Sequence, residues 1–458
     1  MTEDGDKKNA ASNNILNDMN KLFRLLCLMA LCFTATCFEL YSQEADNTFS
    51  VNLQATTRGE LRHGGFKSDS IDNYREANFV IGKYRLDLDY KRSWLELRLS
   101  PQQSGVWGQA SGSLSLFEGW ALVKSEKGFF AKIGRQLLAY DDERILGYDD
   151  WTMTAPTHDV LKFGYEGDRH KVHIILAYNQ TANNPDEGNT YYANGLQPHK
   201  SMQTLWYHYD TPKSLFGASL LFMNIGMQSA NDATPNTTFY QQLLGTYLSF
   251  KPKNWLLEGA FYYQMGKQEY GMTLDAFMGS AKVKHSFNDK FSLQAGYDYL
   301  SGDKYFAVPP HGGIGMVFHD KCRGFNPIYG SHHEFYGAMD FFYLDSYVGN
   351  FTPGLQNLYV GTIVKPTTSL ELNLAYHYFA ITSELDYVPS KSLGHDIEFN
   401  ATYSFSDLVK LSAGYSFLNG TETMEILQKL EETRRMHWAW LMLTITPKTF
   451  TTTWQDKK

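Results

Sequence analysis

The stretch 134–159 contains the residues best suited to binding a charged solute. Its candidates are two arginines and four carboxylates: Arg135, Arg144, Asp142, Glu143, Asp149 and Asp150. An arginine binds a carboxylate through two parallel hydrogen bonds and keeps its charge at any physiological pH, whereas neighbouring acidic groups weaken the binding enough to allow release. We therefore expect a charged constriction near the mouth of a pore. The alternative is a solvated surface loop whose exposed ion pairs only hold its shape.

Two segments with the two-residue period of half-buried strands lie on either side of this stretch. Phe129, Ala131 and Ile133 alternate with Phe130, Lys132 and Gly134, and Leu161, Phe163 and Tyr165 alternate with Lys162, Gly164 and Glu166. A loop of about 20 residues between two strands is uncommon in a compact domain and is often functional. The sequence therefore predicts two strands that position a long, functional loop.

The same period recurs from Phe49 onward in segments of about ten residues, the length of a tilted transmembrane strand. One face of each segment is apolar with aromatic ends, and the other is polar or charged. The 15% aromatic content, 37 glycines and mean hydropathy of −0.38 are typical of a transmembrane barrel rather than a helix bundle. The net charge of −8 and the pI near 6.0 argue against a nucleic-acid partner.

Connection lengths predict the topology. Eight short turns alternate with nine longer loops, among them 138–157 and 301–354, and this alternation gives 18 strands. His332–Leu344 also has a strand-like pattern, but a nineteenth strand would leave the barrel unclosed in lipid, so we place it inside the loop 301–354. We predict an all-β protein: a closed antiparallel transmembrane β-barrel of about 18 strands with short periplasmic turns and long extracellular loops.

The N-terminal residues differ in character from the rest. Residues 1–43 read as a polar extension followed by a signal peptide, with Met19 the expected true start, and 44–458 as a single barrel domain. Cys27, Cys32 and Cys37 fall in the signal, which leaves Cys322 and no intramolecular disulfide. A lipoprotein anchored at Cys37 is the alternative.

The predicted lumen face of the wall carries charges of both signs. The basic candidates for lining the pore or binding solute are Arg85, Arg98, Lys162, Lys282 and Lys284. A net basic lumen is not evident, so neutral or mixed solutes remain open beside anionic ones. The loop 301–354 is expected to narrow the pore. His332 and His333 are adjacent and would point to opposite faces of a strand, so we expect no metal site, and no cofactor.

Two motifs resemble the alginate export family of outer-membrane barrels. The first is GRQ at 134–136, DERILG at 142–147, Asp150-Trp151 and His158-Asp159; the second is FNPIYGSHHEFYGAMDFF at 325–342. Where the family commonly has Tyr-Pro-Thr, this chain has Tyr329-Gly330-Ser331. The resemblance covers most of the chain after the signal, and it implies 18 strands and arginines at the constriction.

Together these features predict a passive channel in the bacterial outer membrane, without catalytic residues. It would pass a polysaccharide, an oligosaccharide or a small solute, anionic solutes included, through a loop-constricted pore. The alternatives are a barrel enzyme of the lipase or protease type, which needs a nucleophile, a base and an orienting group, and a surface glycan-binding barrel. The expected partners are outer-membrane lipid or lipopolysaccharide, the saccharide or small solute, and a periplasmic protein that delivers it.

Overall fold

The computed structural model describes residues 46–63, 76–109, 112–148, 150–180, 192, 195–230, 236–304, 321–342, 352–428 and 435–455. The predicted extension and signal peptide at 1–43 lie outside these residues, and so does the candidate Asp149. Among the described residues no helix is both long and apolar enough to cross a membrane.

Strands account for most of the described chain. They are β1 (Asn47–His63), β2 (Ala77–Lys91), β3 (Leu95–Val106), β4 (Ser113–Lys124), β5 (Phe129–Gln136), β6 (His158–Glu166), β7 (His170–Tyr178), β8 (His199–Asp210), β9 (Phe216–Gln228), β10 (Thr238–Phe250), β11 (Trp255–Lys267), β12 (Thr273–Asn288), β13 (Phe291–Leu300), β14 (Leu355–Val364), β15 (Leu370–Ala380), β16 (Ser392–Ser406), β17 (Val409–Gly420) and β18 (Met436–Ile445, continued by Lys448–Trp454). A short helix, α1 (Glu422–Gln428), precedes β18. Single 3₁₀ turns occur at Asp150–Thr152, Pro212–Ser214 and His332–Glu334.

The 18 strands close into one antiparallel barrel. Each pairs with the strand before and after it, and β1 pairs with both β2 and β18, so that Arg58 lies opposite Ile81 on one side and Met442 on the other. Within the described chain, no wall strand has a free edge, as a backbone surrounded by lipid requires. A two-residue strand, Lys321–Cys322, runs parallel to the start of β12 and is not part of the wall.

The predicted topology is confirmed. The barrel has 18 strands, and its eight short turns fall where the sequence placed them, for example between β6 and β7 and between β16 and β17. The strand-like pattern at 332–344 is not a wall strand: its described part, up to Phe342, is a 3₁₀ turn followed by bends. Residue alternation predicted a strand here because an apolar segment that packs inside a barrel can show the same pattern.

The two faces of the wall have opposite character. In β1, Thr56, Arg58 and Glu60 point inward and are buried, whereas Leu53 and Leu61 point outward and are 43% and 41% exposed. Exposed outward-facing apolar side chains recur around the barrel at Leu97, Leu205, Leu220, Leu244, Leu257, Leu293, Leu358, Leu374, Phe399 and Leu441. An apolar outer band around a polar interior is the arrangement of a transmembrane barrel. The protein is accordingly a barrel of the bacterial outer membrane.

The described parts of two loops pack inside the barrel. We name residues 137–157 the inner loop and residues 301–354 the long loop. Leu138 and Leu146 of the inner loop, together with Phe325 and Tyr336 of the long loop, belong to one buried cluster with inward-facing wall residues such as Met223. Because apolar surface from both loops is removed from water in this way, the described part of each loop is held inside the barrel by packing as well as by its polar contacts.

Candidate functional site

The inner loop and the long loop are joined by backbone hydrogen bonds. The N–H of Tyr329 donates to the carbonyl of Ile145 (3.2 Å), the N–H of Gly147 donates to the carbonyl of Tyr329 (2.9 Å), and the N–H of Ser331 donates to the carbonyl of Glu143 (2.8 Å). The two loops therefore form one unit across the lumen, which the sequence did not predict.

Two glycines allow the two loops to approach so closely. A Cβ at Gly330 would lie 2.2 Å from the carbonyl oxygen of Arg144, and one at Gly147 would lie 2.5 Å from the backbone nitrogen of Ser331. Neither backbone neighbour can move aside easily. The chain thus has Gly330, where the alginate export pattern has proline, at a position that accepts no side chain in this arrangement.

Arg144 is the most enclosed charge of the unit. Its Nε lies 2.8 Å from Asp142 Oδ2, and its Nη2 lies 2.8 Å from Asp298 Oδ1 on the inward face of β13. The guanidinium also covers the ring of Phe335 at 4.1 Å. Its side chain is 3% exposed. The expectation that Arg144 lines the pore is therefore corrected: it connects the inner loop to the wall.

The other described acidic candidates of the inner loop are also engaged within the protein. Glu143 accepts hydrogen bonds from the N–H of Tyr148 (2.7 Å) and the hydroxyl of Ser331 (3.1 Å). Burial raises the pKa of Asp142, and Arg144 opposes that rise. These carboxylates, expected to face the pore, instead stabilise the loop. The interpretation of the ion pairs as shape-holding, given above as the alternative, fits them better than solute binding does.

Asp150 connects the far end of the inner loop to β2. Its Oδ2 lies 2.5 Å from Lys83 Nζ, and its Oδ1 lies 3.0 Å from Arg85 Nη2. Burial alone would raise the pKa of Asp150, but the two cations outweigh burial and hold its pKa below the ordinary value. Arg85 also covers the ring of Phe117 at 3.4 Å. The pore candidates Arg85 and Asp150 thus neutralise each other.

Asp141 was not among the sequence candidates, yet it connects the loop to β8 and β9. It accepts hydrogen bonds from the indole N–H of Trp206 (3.1 Å) and the hydroxyl of Ser219. Burial raises the pKa of Asp141 to about 6, and these two donors limit the rise. The inner loop therefore has polar anchors on β2, β8, β9 and β13, so that it spans the lumen from side to side.

Arg135 lies on the outward face of the barrel. It is two residues after Ile133, which is 60% exposed, and successive side chains of a strand alternate between faces. Its guanidinium binds both carboxylate oxygens of Asp159, at 2.9 and 2.8 Å, and donates to the carbonyl of Leu116. The structure thus corrects the expectation that Arg135 points into the pore.

This placement makes a direct prediction for Arg135. Changing Arg135 to Gln should leave the reversal potential of the open channel unaltered at low salt, because the removed charge is on the other side of the wall. The loss in stability should stay below about 1 kcal/mol, since the ion pair with Asp159 is partly exposed. A shift of the reversal potential in planar bilayers would show that the charge of Arg135 acts in the pore after all.

Most cations on the inward face of the wall are paired. Arg98 lies 2.7 Å from Asp89 and 3.1 Å from Glu118, and Lys282 lies 3.2 Å from Glu258. Within the described residues Lys284 forms no ion pair. These pairs leave little net positive charge along much of the lumen, as the mixed sequence pattern indicated.

Lys132 and Lys162, the lysine pair, are different. They lie directly opposite each other in the register of β5 and β6. Among the described residues neither ammonium has a carboxylate partner. Lys132 Nζ lies 3.7 Å from the centre of the Trp120 ring, and Lys162 Nζ lies 5.9 Å from that of Phe130. Lys162 was a sequence candidate, whereas Lys132 was missed. The alternation of β5 already indicated that Lys132 lies on the inward face, because its neighbour Ile133 lies on the outward one.

The acidic groups nearest the lysine pair are engaged elsewhere. Glu118 pairs with Arg98 and accepts the indole N–H of Trp120 (3.0 Å), while Glu166 lies 3.0 Å from His173 Nε2. Like charges directly opposite each other destabilise a pair of strands. Glu118 and Glu166 attract Lys162 at longer range, and an anion bound between the two ammonium groups would relieve the repulsion that remains.

His333, one of the two adjacent histidines considered for metal binding, is engaged within the protein. His333 Nδ1 lies 2.7 Å from Asp340 Oδ1, and its ring stacks on Trp151 at 4.3 Å. No group of three or more histidine, cysteine or acidic side chains arranged to hold a metal ion occurs among the described residues.

Comparison with known proteins supports the fold. No protein-family model matches the chain, and no curated protein matches it. Among solved structures, Pseudomonas aeruginosa OccK5 (OpdH) has a TM-score of 0.57 at 11% identity, covering 87% of this chain and 98% of that one. OccK2 (OpdF) of the same organism, in complex with glucuronate, has a TM-score of 0.57 at 14% identity, covering 88% and 98%.

The outer membrane protein opdK from Pseudomonas aeruginosa is similar at a TM-score of 0.56 and 9% identity, covering 88% of this chain and 99% of that one. Identities this low establish the fold alone. They support an outer-membrane barrel of this type, and they give no support to the alginate export family in particular.

Proposed function

We propose that the protein is a passive outer-membrane channel for small solutes that carry a carboxylate. The lysine pair carries this proposal, because it places two cations without described acidic partners on the inward face of the wall. A solute carboxylate can accept charge-assisted hydrogen bonds from both ammonium groups. Lysine is a flexible point charge rather than a rigid fork, which favours the weak binding that passage through a channel requires.

The surrounding rings favour a sugar acid over a simple inorganic anion. Trp120 and Phe130 lie on the same face as the lysine pair, and aromatic faces give the apolar side of a sugar ring a surface to pack against. OccK2, one of the similar structures, is in complex with glucuronate, a sugar with one carboxylate. That complex is consistent with a small uronate as the solute here.

The joined loops favour a short solute over a polymer. The inner loop is anchored on β2, β8, β9 and β13, and the long loop is bonded to it, so both occupy space in the lumen. A long uronate chain would have to pass this obstruction in an extended form. We therefore propose a monosaccharide or short oligosaccharide acid and do not extend the proposal to alginate itself.

Planar-bilayer recordings of the purified protein test the function. Under a gradient of KCl the reversal potential should indicate preference for chloride, and glucuronate should interrupt the current at lower concentrations than glucose. Both effects should weaken at high salt, because the Debye length falls from about 10 Å at 0.1 M to about 3 Å at 1 M. Preference for potassium, or equal interruption by glucose and glucuronate, would refute the proposal.

A further inference from the structure

A groove separate from the pore lies on the outward face of the barrel, at the extracellular ends of β1, β17 and β18. We name it the rim groove; it has a volume of about 450 Å³ and is lined by Leu61, His63, Glu76, Tyr415, Arg435, His437 and Ala439. The register places His63 opposite His437, and Leu61 opposite Ala439 two residues nearer the membrane. Its polar and apolar linings are thus arranged in rows, one above the other.

The lower row, formed by Leu61, Tyr415 and Ala439, is continuous with the apolar band of the barrel. Leu61 is 41% exposed and Tyr415 is 44% exposed, and both point outward toward lipid. A tyrosine at this level is typical of the membrane interface, where its ring contacts acyl chains and its hydroxyl contacts polar groups. The lower half of the groove is therefore suited to the first carbons of a lipid chain.

The upper row, Arg435, His63 and His437, contains the polar groups that can bind an anion. Arg435 is exposed, and among the described residues it has no carboxylate partner. His437 Nδ1 lies 2.5 Å from the hydroxyl of Tyr415, and its Nε2 has no partner within the described chain. The one acidic residue of the lining, Glu76, lies 4.0 Å from His63 and so faces the histidine. The arginine and the imidazole of His437 remain for an anion.

We propose that the rim groove binds a phosphate group of an outer-leaflet lipid, with its acyl chain below. Arg435 and His437 bind the phosphate oxygens, since a guanidinium binds phosphate in the same two-pronged way that it binds carboxylate. Leu61, Tyr415 and Ala439 contact the chain. A phosphorylated glycolipid matches both rows at once, whereas a soluble phosphate would use only the upper one.

A second groove on the same rim lacks this arrangement and serves as a comparison. It lies above Phe277 and Tyr299, and its volume is about 440 Å³. There, Lys391 lies 3.5 Å from Glu384. The other charged residues of this lining are two acidic ones, Asp275 and Asp303, and two basic ones, Lys304 and Arg323. Three carboxylates thus face three cations in the comparison groove, whereas the rim groove has a single carboxylate, Glu76, beside one arginine and two histidines.

Thermal unfolding of the purified barrel in detergent tests the proposal with three probes: lipid A bearing its phosphates, the dephosphorylated lipid A, and inorganic phosphate. Phosphorylated lipid A should stabilise the wild type at the lowest concentration. Combined Arg435→Gln and His437→Gln changes should weaken its apparent affinity at least tenfold, because a single charge-assisted hydrogen bond already contributes about 1.5 kcal/mol and both side chains lose theirs. Arg435→Lys should retain most of the affinity, and Lys391→Gln in the comparison groove should change nothing.

Three outcomes would overturn the proposal. Equal stabilisation of the wild type and the double variant would show that Arg435 and His437 do not bind the phosphate. Equal stabilisation by dephosphorylated lipid A would show that acyl contact alone accounts for binding. Stabilisation by inorganic phosphate at the same concentration as the lipid would show that Leu61, Tyr415 and Ala439 contribute nothing to binding. Ion selectivity should be the same in the wild type and the double variant, so that this test stands apart from the proposed channel function.

Discussion

Changing Arg144 to Met is expected to lower the free energy of unfolding by about 3–5 kcal/mol, the usual cost of leaving a buried charge without its partner. Asp298 is completely buried, and Asp142 is largely so. Methionine has nearly the length of the arginine stem, so that packing against Phe335 is mostly kept. The measurement is urea unfolding of the barrel in lipid vesicles, followed by tryptophan fluorescence.

The inner loop should be the first part of this variant to loosen. Its connection to β13 depends on the bond between Arg144 and Asp298, whereas the bonds of Asp141 and Asp150 to other strands remain. We expect noisier open-channel current and faster proteolysis within 137–157, with the wall intact. A variant with the noise and stability of the wild type would contradict the role given to Arg144.

Two controls separate charge from packing. Lys282→Met breaks a more exposed pair, with Glu258, and should cost less than about 1 kcal/mol. Combining Arg144→Met with Asp142→Asn and Asp298→Asn also removes the two carboxylates that the single variant leaves without their cation. The triple variant should recover most of the lost free energy of unfolding, because burying a neutral amide costs much less than burying a charge.

The loss should also depend on pH. Burial already raises the pKa of Asp142, and without Arg144 its pKa rises further. A carboxyl with a folded pKa above its unfolded value costs stability at pH values above the folded pKa, and the cost disappears below the unfolded pKa. The single variant should therefore be closer to the wild type at pH 4 than at pH 8. A deficit that is constant across this range would indicate lost packing instead.

The wall could be predicted from the sequence because local patterns determine it. Alternation gives the strands, and short polar segments give the turns, so 18 strands and the position of the long loop follow from neighbouring residues. The inward position of Lys132 and the outward position of Arg135 follow from the same alternation, since the two are three residues apart. Arg135 was misplaced because its charge and motif were given more weight than its position relative to Ile133.

The arrangement inside the barrel could not be predicted in this way. Arg144 meets Asp298, and Arg85 meets Asp150, across long separations in the chain. Which inward charges are neutralised depends on how the two loops fold back into the lumen, and the close approach at Gly330 becomes visible only when both backbones are present. The sequence showed that charges of both signs face inward, and the structure shows that the lysine pair has no described acidic partner.

The lysine pair should therefore determine selectivity. Changing Lys132 and Lys162 together to Gln is expected to lower the ratio of anion to cation permeability and to weaken interruption of the current by glucuronate about tenfold. Two unit charges acting on an anion a few ångströms away at an effective dielectric constant near 20 contribute a few kcal/mol, of which screening leaves about 1–2 kcal/mol. Reversal potentials in a low-salt KCl gradient measure the first effect, and titration with glucuronate measures the second.

The controls follow from the geometry. Changing both lysines to Arg keeps the charge and should keep the selectivity, whereas Arg135→Gln removes a charge from the outward face and should change neither measurement. Wild type and double Gln variant should converge in 1 M salt, where the Debye length is about 3 Å. The double variant should fold at least as well as the wild type, because it loses a repulsion between strands. An unchanged reversal potential at low salt in a folded double variant would exclude the lysine pair from the solute path, and the anion-selective channel proposed on it would fail with it.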